Sequence, residues 1–131
     1  KRDFVDFGEV TYTEKTRAVI KVQDGCDRFC SYCIIPYARG RVRSRKPENV
    51  LAEIRKVAEE GIKEVVITGI HVASYGKDFK TEYKLIDLLE EINKIMDKYE
   101  QNKSRQEINE IISKYANNLP FMESLRCLIE K

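Results

Sequence analysis

Residues 21–46, KVQDGCDRFCSYCIIPYARGRVRSRK, decide how the rest of the chain is read. Cys26, Cys30 and Cys33 stand at C-x3-C-x2-C within eight residues, and Arg39, Arg41, Arg43, Arg45 and Lys46 follow with no acid among them. A closed structural zinc site takes four protein ligands, and no His or fourth Cys lies near enough in sequence to complete one. Iron–sulfur cubanes are held by Cys thiolates, usually four, so a loop that offers three leaves one iron open to an outside ligand. Thiolate softness and spacing therefore point to a 4Fe-4S cluster on Cys26, Cys30 and Cys33. A disulfide framework is disfavoured, because three cysteines so close pair only under strain and a reducing compartment favours metal ligation.

Upstream of the loop, Arg17 to Val22 (RAVIKV) is short, β-branched and apolar, the profile of a strand buried on both faces. The cysteine loop leaves its carboxyl end, the end at which α/β architectures place ligands. Downstream, Pro47 fits the first turn of a helix running to about Glu60, with Val50, Leu51, Ile54, Val57 and Ala58 on one stripe and Gly61 as its stop. Glu64 to Thr68 (EVVIT) reads as a second buried strand, parallel to the first, so that strand, helix and strand make a right-handed βαβ unit. Thr68 to Lys84 is polar and forms a second loop on the same edge.

Leu85 to about Tyr99 is amphipathic, with Leu85, Leu88, Leu89, Ile92, Ile95, Met96 and Tyr99 on its expected buried face. Ser104 to Glu107 has the form of a capping box opening another helix, with Ile108, Ile111, Ile112 and Tyr115 inward and a stop at Asn117-Asn118-Leu119-Pro120. Phe121 to Glu130 fits one more helix, whose apolar face includes Cys127 as a small buried hydrophobe. Residues 1–16 read as an extended lead-in with partial alternation at Phe7, Val10 and Tyr12, residues 17–95 as the core, and residues 96–131 as a helical tail.

With 131 residues, 35% of them charged and 42% hydrophobic, the chain has the composition of one globular domain or part of one. Its net charge of +2 argues for no polyanionic partner by itself; the local crowding of arginines does. No apolar run is long enough to span a bilayer and no signal-peptide pattern opens the chain, so a cytoplasmic location is expected.

C-x3-C-x2-C with an aromatic, Tyr32, directly before the third Cys resembles the radical S-adenosylmethionine enzymes. The longer stretches KVQDGCDRFCSYCIIPYARGRVRSR and EVVITGIHVASYGKD are similar to the tRNA methylthiotransferases, most closely the branch acting on N6-threonylcarbamoyladenosine, over roughly Thr16 to Ile95. The resemblance implies an α/β fold, the first two βα units of a partial barrel, followed here by a helical tail. It implies a 4Fe-4S cluster whose open iron chelates S-adenosyl-L-methionine, reductive cleavage to a 5′-deoxyadenosyl radical, and hydrogen abstraction at C2 of a modified adenine. A tRNA anticodon loop and an electron donor such as flavodoxin or ferredoxin are the implied partners. The family's upstream domain with three further cysteines, its remaining barrel units and its carboxy-terminal RNA-binding module are not visible, so a truncated or diverged product, or a fragment, is expected.

Carried over residue by residue, the resemblance places Tyr32 at the adenine end of the cofactor, the alternative being an aromatic packed under the loop. It places Thr68, Gly69 and Ile70 at the cofactor's amino group, although Gly69 also suits a plain turn. Arg39, Arg41, Arg43, Arg45 and Lys46 are divided between the cofactor carboxylate and RNA phosphates, against a merely solvated basic loop. His71, Ser74 and Tyr75 suit polar contacts better than catalysis, and Asp24 and Asp27 suit loop formation. Two other readings stay open: a radical enzyme acting on isopentenyl-adenosine or a ribosomal protein, against which TGIHVASYG speaks, and a non-enzymatic metal-binding or interaction module.

Overall fold

The computed structural model of the chain describes residues 3–6 and 16–115. Among the described residues the elements follow in order β1 (Arg17–Asp24), α1 (Ile35–Arg39), β2 (Arg43–Ser44), α2 (Pro47–Glu59), β3 (Glu64–Gly69), a 3-10 turn (Val72–Ser74) and α3 (Leu85–Tyr115). The strands form one sheet in the order β2-β1-β3. β1 and β3 are parallel, pairing Arg17 with Glu64 through Ile20 with Ile67, whereas β2 lies antiparallel against Gln23 and Asp24. This is the α/β arrangement expected, with β1, α2 and β3 as a strand–helix–strand unit. The loops after β1 and β3 therefore leave the same edge of the sheet.

Burial along β1 alternates: Ala18, Ile20 and Val22 are buried, while Val19 is 54% exposed. In β3 Val66, the register partner of Val19, is exposed as well. The expectation of strands buried on both faces is thus corrected, since side chains alternate across a strand. Only one face is covered among the described residues. That face carries the core, built from Ala18, Ile20 and Val22 with Val50, Leu51, Ile54 and Val57 of α2, and with Leu88 and Ile92 of α3. Pro47 occupies the first turn of α2, where its missing N–H costs nothing, and Gly61 follows its end as expected.

Contacts divide the chain into Lys1–Met96 and Asp97–Lys131. Within the first unit α3 packs Leu88 and Ile92 into the core, with Leu85, Ile95 and Met96 partly buried beside them. Leu89, expected on the buried face, is exposed. In the second unit the helix runs on without a break at Ser104, so the capping box is not a helix start. The stretch YEQNKSR contains neither Gly nor Pro, and nothing local forces the backbone out of the helix. Ile108, Ile111 and Ile112, expected to face inward, are 55%, 56% and 43% exposed. The readings placed on Phe7, Val10 and Tyr12, on residues 117–120, on Phe121 to Glu130 and on Cys127 lie outside the described residues.

Candidate metal centre

The cysteine loop begins where β1 ends. Gly25 has φ 75°, and a Cβ there would stand 2.0 Å from the Arg41 carbonyl oxygen, so only glycine lets the two segments meet. The Cys26 N–H donates to the Gly40 carbonyl at 3.0 Å, closing the loop at its neck. Asp24 Oδ1 accepts the Gly25 N–H at 2.8 Å and Asp27 Oδ1 accepts the Val42 N–H at 3.1 Å, the loop-forming role expected of both acids. At the far end the Cys33 N–H donates to the Cys30 carbonyl at 3.0 Å, and Phe29 takes the left-handed conformation at φ 46°.

Within this frame Cys26 and Cys33 are half-buried and Cys30 is exposed, all three with free thiols. Among the described residues no three His, Cys, Asp or Glu side chains converge as a site for a single metal ion. A cubane held by three cysteines takes one thiolate at each of three irons. Three soft donors on one short loop, open to solvent at Cys30, fit such a group with one corner left for an outside ligand.

Tyr32 is 92% exposed. It is not packed under the loop, so that alternative is corrected; Phe29, Ile34 and Tyr37 of the same stretch are exposed as well. Thr68 and Gly69 are half-buried at the end of β3, and Ile70 is exposed. His71 follows, its Nδ1 within 2.7 Å of Ser74 Oγ, a polar contact inside its own turn. Tyr75 is buried, its hydroxyl donating to the Arg45 carbonyl at 2.8 Å.

The basic strip is not one surface. Its residues fall in α1, in β2 and in the segments between, elements too short to show a period in the sequence. Arg45 is buried and held between Asp6, 2.7 Å away, and the equally buried Glu53. Its place among the phosphate-binding candidates is therefore corrected: the guanidinium is consumed by an internal ion pair. Burial works against that charge, but the hydrogen bonds to Asp6 and Glu53 outweigh it and raise the Arg45 pKa. Arg43 is largely withdrawn too, donating to the Arg39 carbonyl at 2.6 Å and lying 3.4 Å from Asp24. Burial pushes the Asp24 carboxyl up, yet hydrogen bonds from Lys21 and the Gly25 N–H, with the Lys21 and Arg39 charges, bring it below its ordinary value. Arg39, Arg41 and Lys46 are exposed. Arg39 and Arg41 line a cleft of about 570 Å³ with Asp27, Tyr37, Arg43 and Asp78.

Sequence reasoning passed over Gln23. It is fully buried, and its amide joins the cysteine loop to the loop after β3. A neutral polar residue directly after Val22, near the end of β1 and three residues before Cys26, was the signal available.

A cysteine loop of this pattern on the carboxyl edge of a parallel βαβ unit defines the class, and the sequence profile of the Radical SAM superfamily matches residues 20–121. The chain belongs to that superfamily, and with it go the superfamily's cofactors, a 4Fe-4S cluster and S-adenosyl-L-methionine. Among curated relatives it is 51% identical to the tRNA-2-methylthio-N(6)-dimethylallyladenosine synthase of Shouchella clausii, over 62% of this chain and 16% of that protein. It is 48% identical to the threonylcarbamoyladenosine tRNA methylthiotransferase MtaB of Bacillus subtilis, over 63% of this chain and 18% of the relative. The chain thus spans about a sixth of the length of the curated relatives it matches, and both substrate branches are among them. No helix among the described residues is long and apolar enough to cross a membrane.

Proposed function

We propose that this chain is part of the radical core of a tRNA methylthiotransferase, and that its substrate is a modified adenosine beside the anticodon. The observation that carries the proposal is the three-thiol loop at the end of β1, facing the same sheet edge as Thr68, Gly69 and Ile70. Cys26, Cys30 and Cys33 would hold the cluster, and Tyr32 with Thr68, Gly69 and Ile70 would orient S-adenosyl-L-methionine against its open corner. Bound there, the cluster supplies the electron that splits the sulfonium and so makes a radical able to take hydrogen from an unactivated carbon. The protein's own part is to hold the cofactor's reactive carbon beside C2 of the adenine and to keep water away. Arg39, Arg41 and Lys46 are the cations left exposed for RNA phosphates, and the strip reads as RNA-binding through those three.

Of the two substrate branches, threonylcarbamoyladenosine is the reading drawn from the loop TGIHVASYG. The 51% identity to a dimethylallyladenosine synthase supports the second. A cytoplasmic location and a flavodoxin- or ferredoxin-type electron donor belong to the same proposal. The experiment is anaerobic incubation of the reconstituted chain with a strong reductant, S-adenosylmethionine and anticodon stem-loops carrying either modification. Formation of 5′-deoxyadenosine, stimulated by one stem-loop and not the other, supports the function and selects the branch. A reconstituted, reducible chain that cleaves no cofactor contradicts it.

A further inference from the structure

We infer that Gln23 is a positioning residue that fixes the distance between the cysteine loop and the cofactor-facing loop after β3. The inference rests on the proposed function of those two loops.

Gln23 has no exposed surface. Burying an amide is costly unless its hydrogen bonds are made, and here they are made to three backbone groups. Nε2 donates to the Asp24 carbonyl at 2.9 Å and to the Gly25 carbonyl at 2.6 Å, the two residues that lead into Cys26. Oε1 accepts the His71 N–H at 2.8 Å, on the other loop. The partners fix the amide's orientation, since two carbonyls require the NH2 end and an N–H requires the oxygen. One side chain thus ties together backbone segments 48 residues apart in sequence.

The backbone is adjusted to allow this. Strand register shifts between Lys21 and Gln23, so that Val22 and Gln23 are buried in succession and Gln23 pairs with Gly69. A bulge re-aims a side chain in this way. Gly69 leaves room for it: a Cβ there would meet Gln23 Oε1 at 2.8 Å and Gln23 Cβ at 2.9 Å. Neither loop owes its own fold to this link, for the cysteine loop has its own bonds from Cys26 to Gly40 and the second loop has those of Ser74 and Tyr75 to His71 and Val72. What the Gln23 amide adds is the spacing of one loop against the other. A displacement of about 1 Å between reacting groups costs on the order of a hundredfold in rate.

The test uses the anaerobically reconstituted chain with Gln23→Met, which removes all three bonds at similar volume, and Gln23→Glu, which keeps the acceptor for His71 but sets an oxygen, with at most one proton, against the two carbonyls. The readouts are iron content and the paramagnetic resonance spectrum of the reduced cluster, titrated with S-adenosylmethionine. Both variants are expected to take up iron like the wild type yet to need at least tenfold more cofactor for the spectral change. Unchanged titration midpoints overturn the inference. So does parallel loss of iron in both variants, which makes Gln23 a residue for folding the cysteine loop. A wild-type chain that holds iron but shows no response to the cofactor overturns the proposed function itself.

Discussion

The hydroxyl of Tyr75, in the loop after β3, donates a 2.8 Å hydrogen bond to the backbone carbonyl of Arg45, the residue directly after β2. Both residues are buried, so Tyr75→Phe leaves that carbonyl without its donor and should cost about 1–3 kcal/mol. Burial, reinforced by negative charge from Tyr83, Glu48 and Asp78, raises the Tyr75 pKa far above its ordinary value of 10.0. Tyr83 is likewise pushed up to about 12, by burial and then by Glu91. A tyrosine whose folded pKa is raised contributes stability that is whole below pH 10 and is lost as pH rises toward the folded value. Urea midpoints of the wild type and Tyr75→Phe should differ by a constant amount up to about pH 10 and converge above it. A gap that widens with alkali contradicts the assignment.

Glu53 is the buried partner of Arg45. Removing it leaves a buried guanidinium with Asp6 as its remaining acidic contact, at 2.7 Å. Glu53→Ala should cost about 3–5 kcal/mol in urea denaturation, whereas the paired change Arg45→Met with Glu53→Leu should cost far less, because no buried charge is stranded and Asp6, which also loses the guanidinium, reaches solvent. Equal costs for the single and double variants argue against an internal ion pair.

Gly69 tests how closely the strands meet at the base of the two loops. Gly69→Ala sets a methyl group against the Gln23 backbone oxygen at 2.9 Å, and neighbouring backbone gives way poorly. The expected destabilisation is about 1–3 kcal/mol by thermal or urea unfolding. A neutral result would mean that β1 and β3 end with more room than the structure allows.

Arg41 and Arg45 separate RNA contact from fold. Arg41 is exposed and lines the cleft beside the cysteine loop, so Arg41→Ala should leave unfolding unchanged and weaken binding of an anticodon stem-loop. The slope of log affinity against log salt should fall by about 0.7–0.9, the value of one phosphate contact. Arg45→Ala should instead lower the unfolding midpoint. If Arg41→Ala leaves the salt slope untouched, the cleft does not contact phosphate.

The elements that carry the fold were legible because their signals are periodic or chemical. Val50, Ile54 and Val57 recur at helical spacing and are all buried in α2, and the two β-branched runs do pair in parallel. What misled was whatever depends on a second layer. Val19 and Val66 read as buried because β-branched runs often are, but nothing in a run says which face will be covered. Arg45 looked like its neighbours in a basic strip, and only the fold brings Glu53 and Asp6 to it. A five-residue helix with Pro36 in its first turn and a two-residue strand are too short for any period to emerge. Ser104 to Glu107 satisfies a capping pattern, but a cap acts only where the preceding residues leave the helix, and here they do not.

The most direct test of the account is iron and sulfide analysis, with optical and paramagnetic resonance spectra, of the chain reconstituted under strict exclusion of oxygen, beside the variant in which Cys26, Cys30 and Cys33 are all serine. The wild type should bind about four irons per chain in a cluster that can be reduced and that responds to S-adenosylmethionine, and the triple variant should bind none. A wild type without iron, or a triple variant that retains the same cluster, contradicts the assignment of these thiols and the chemistry built on them.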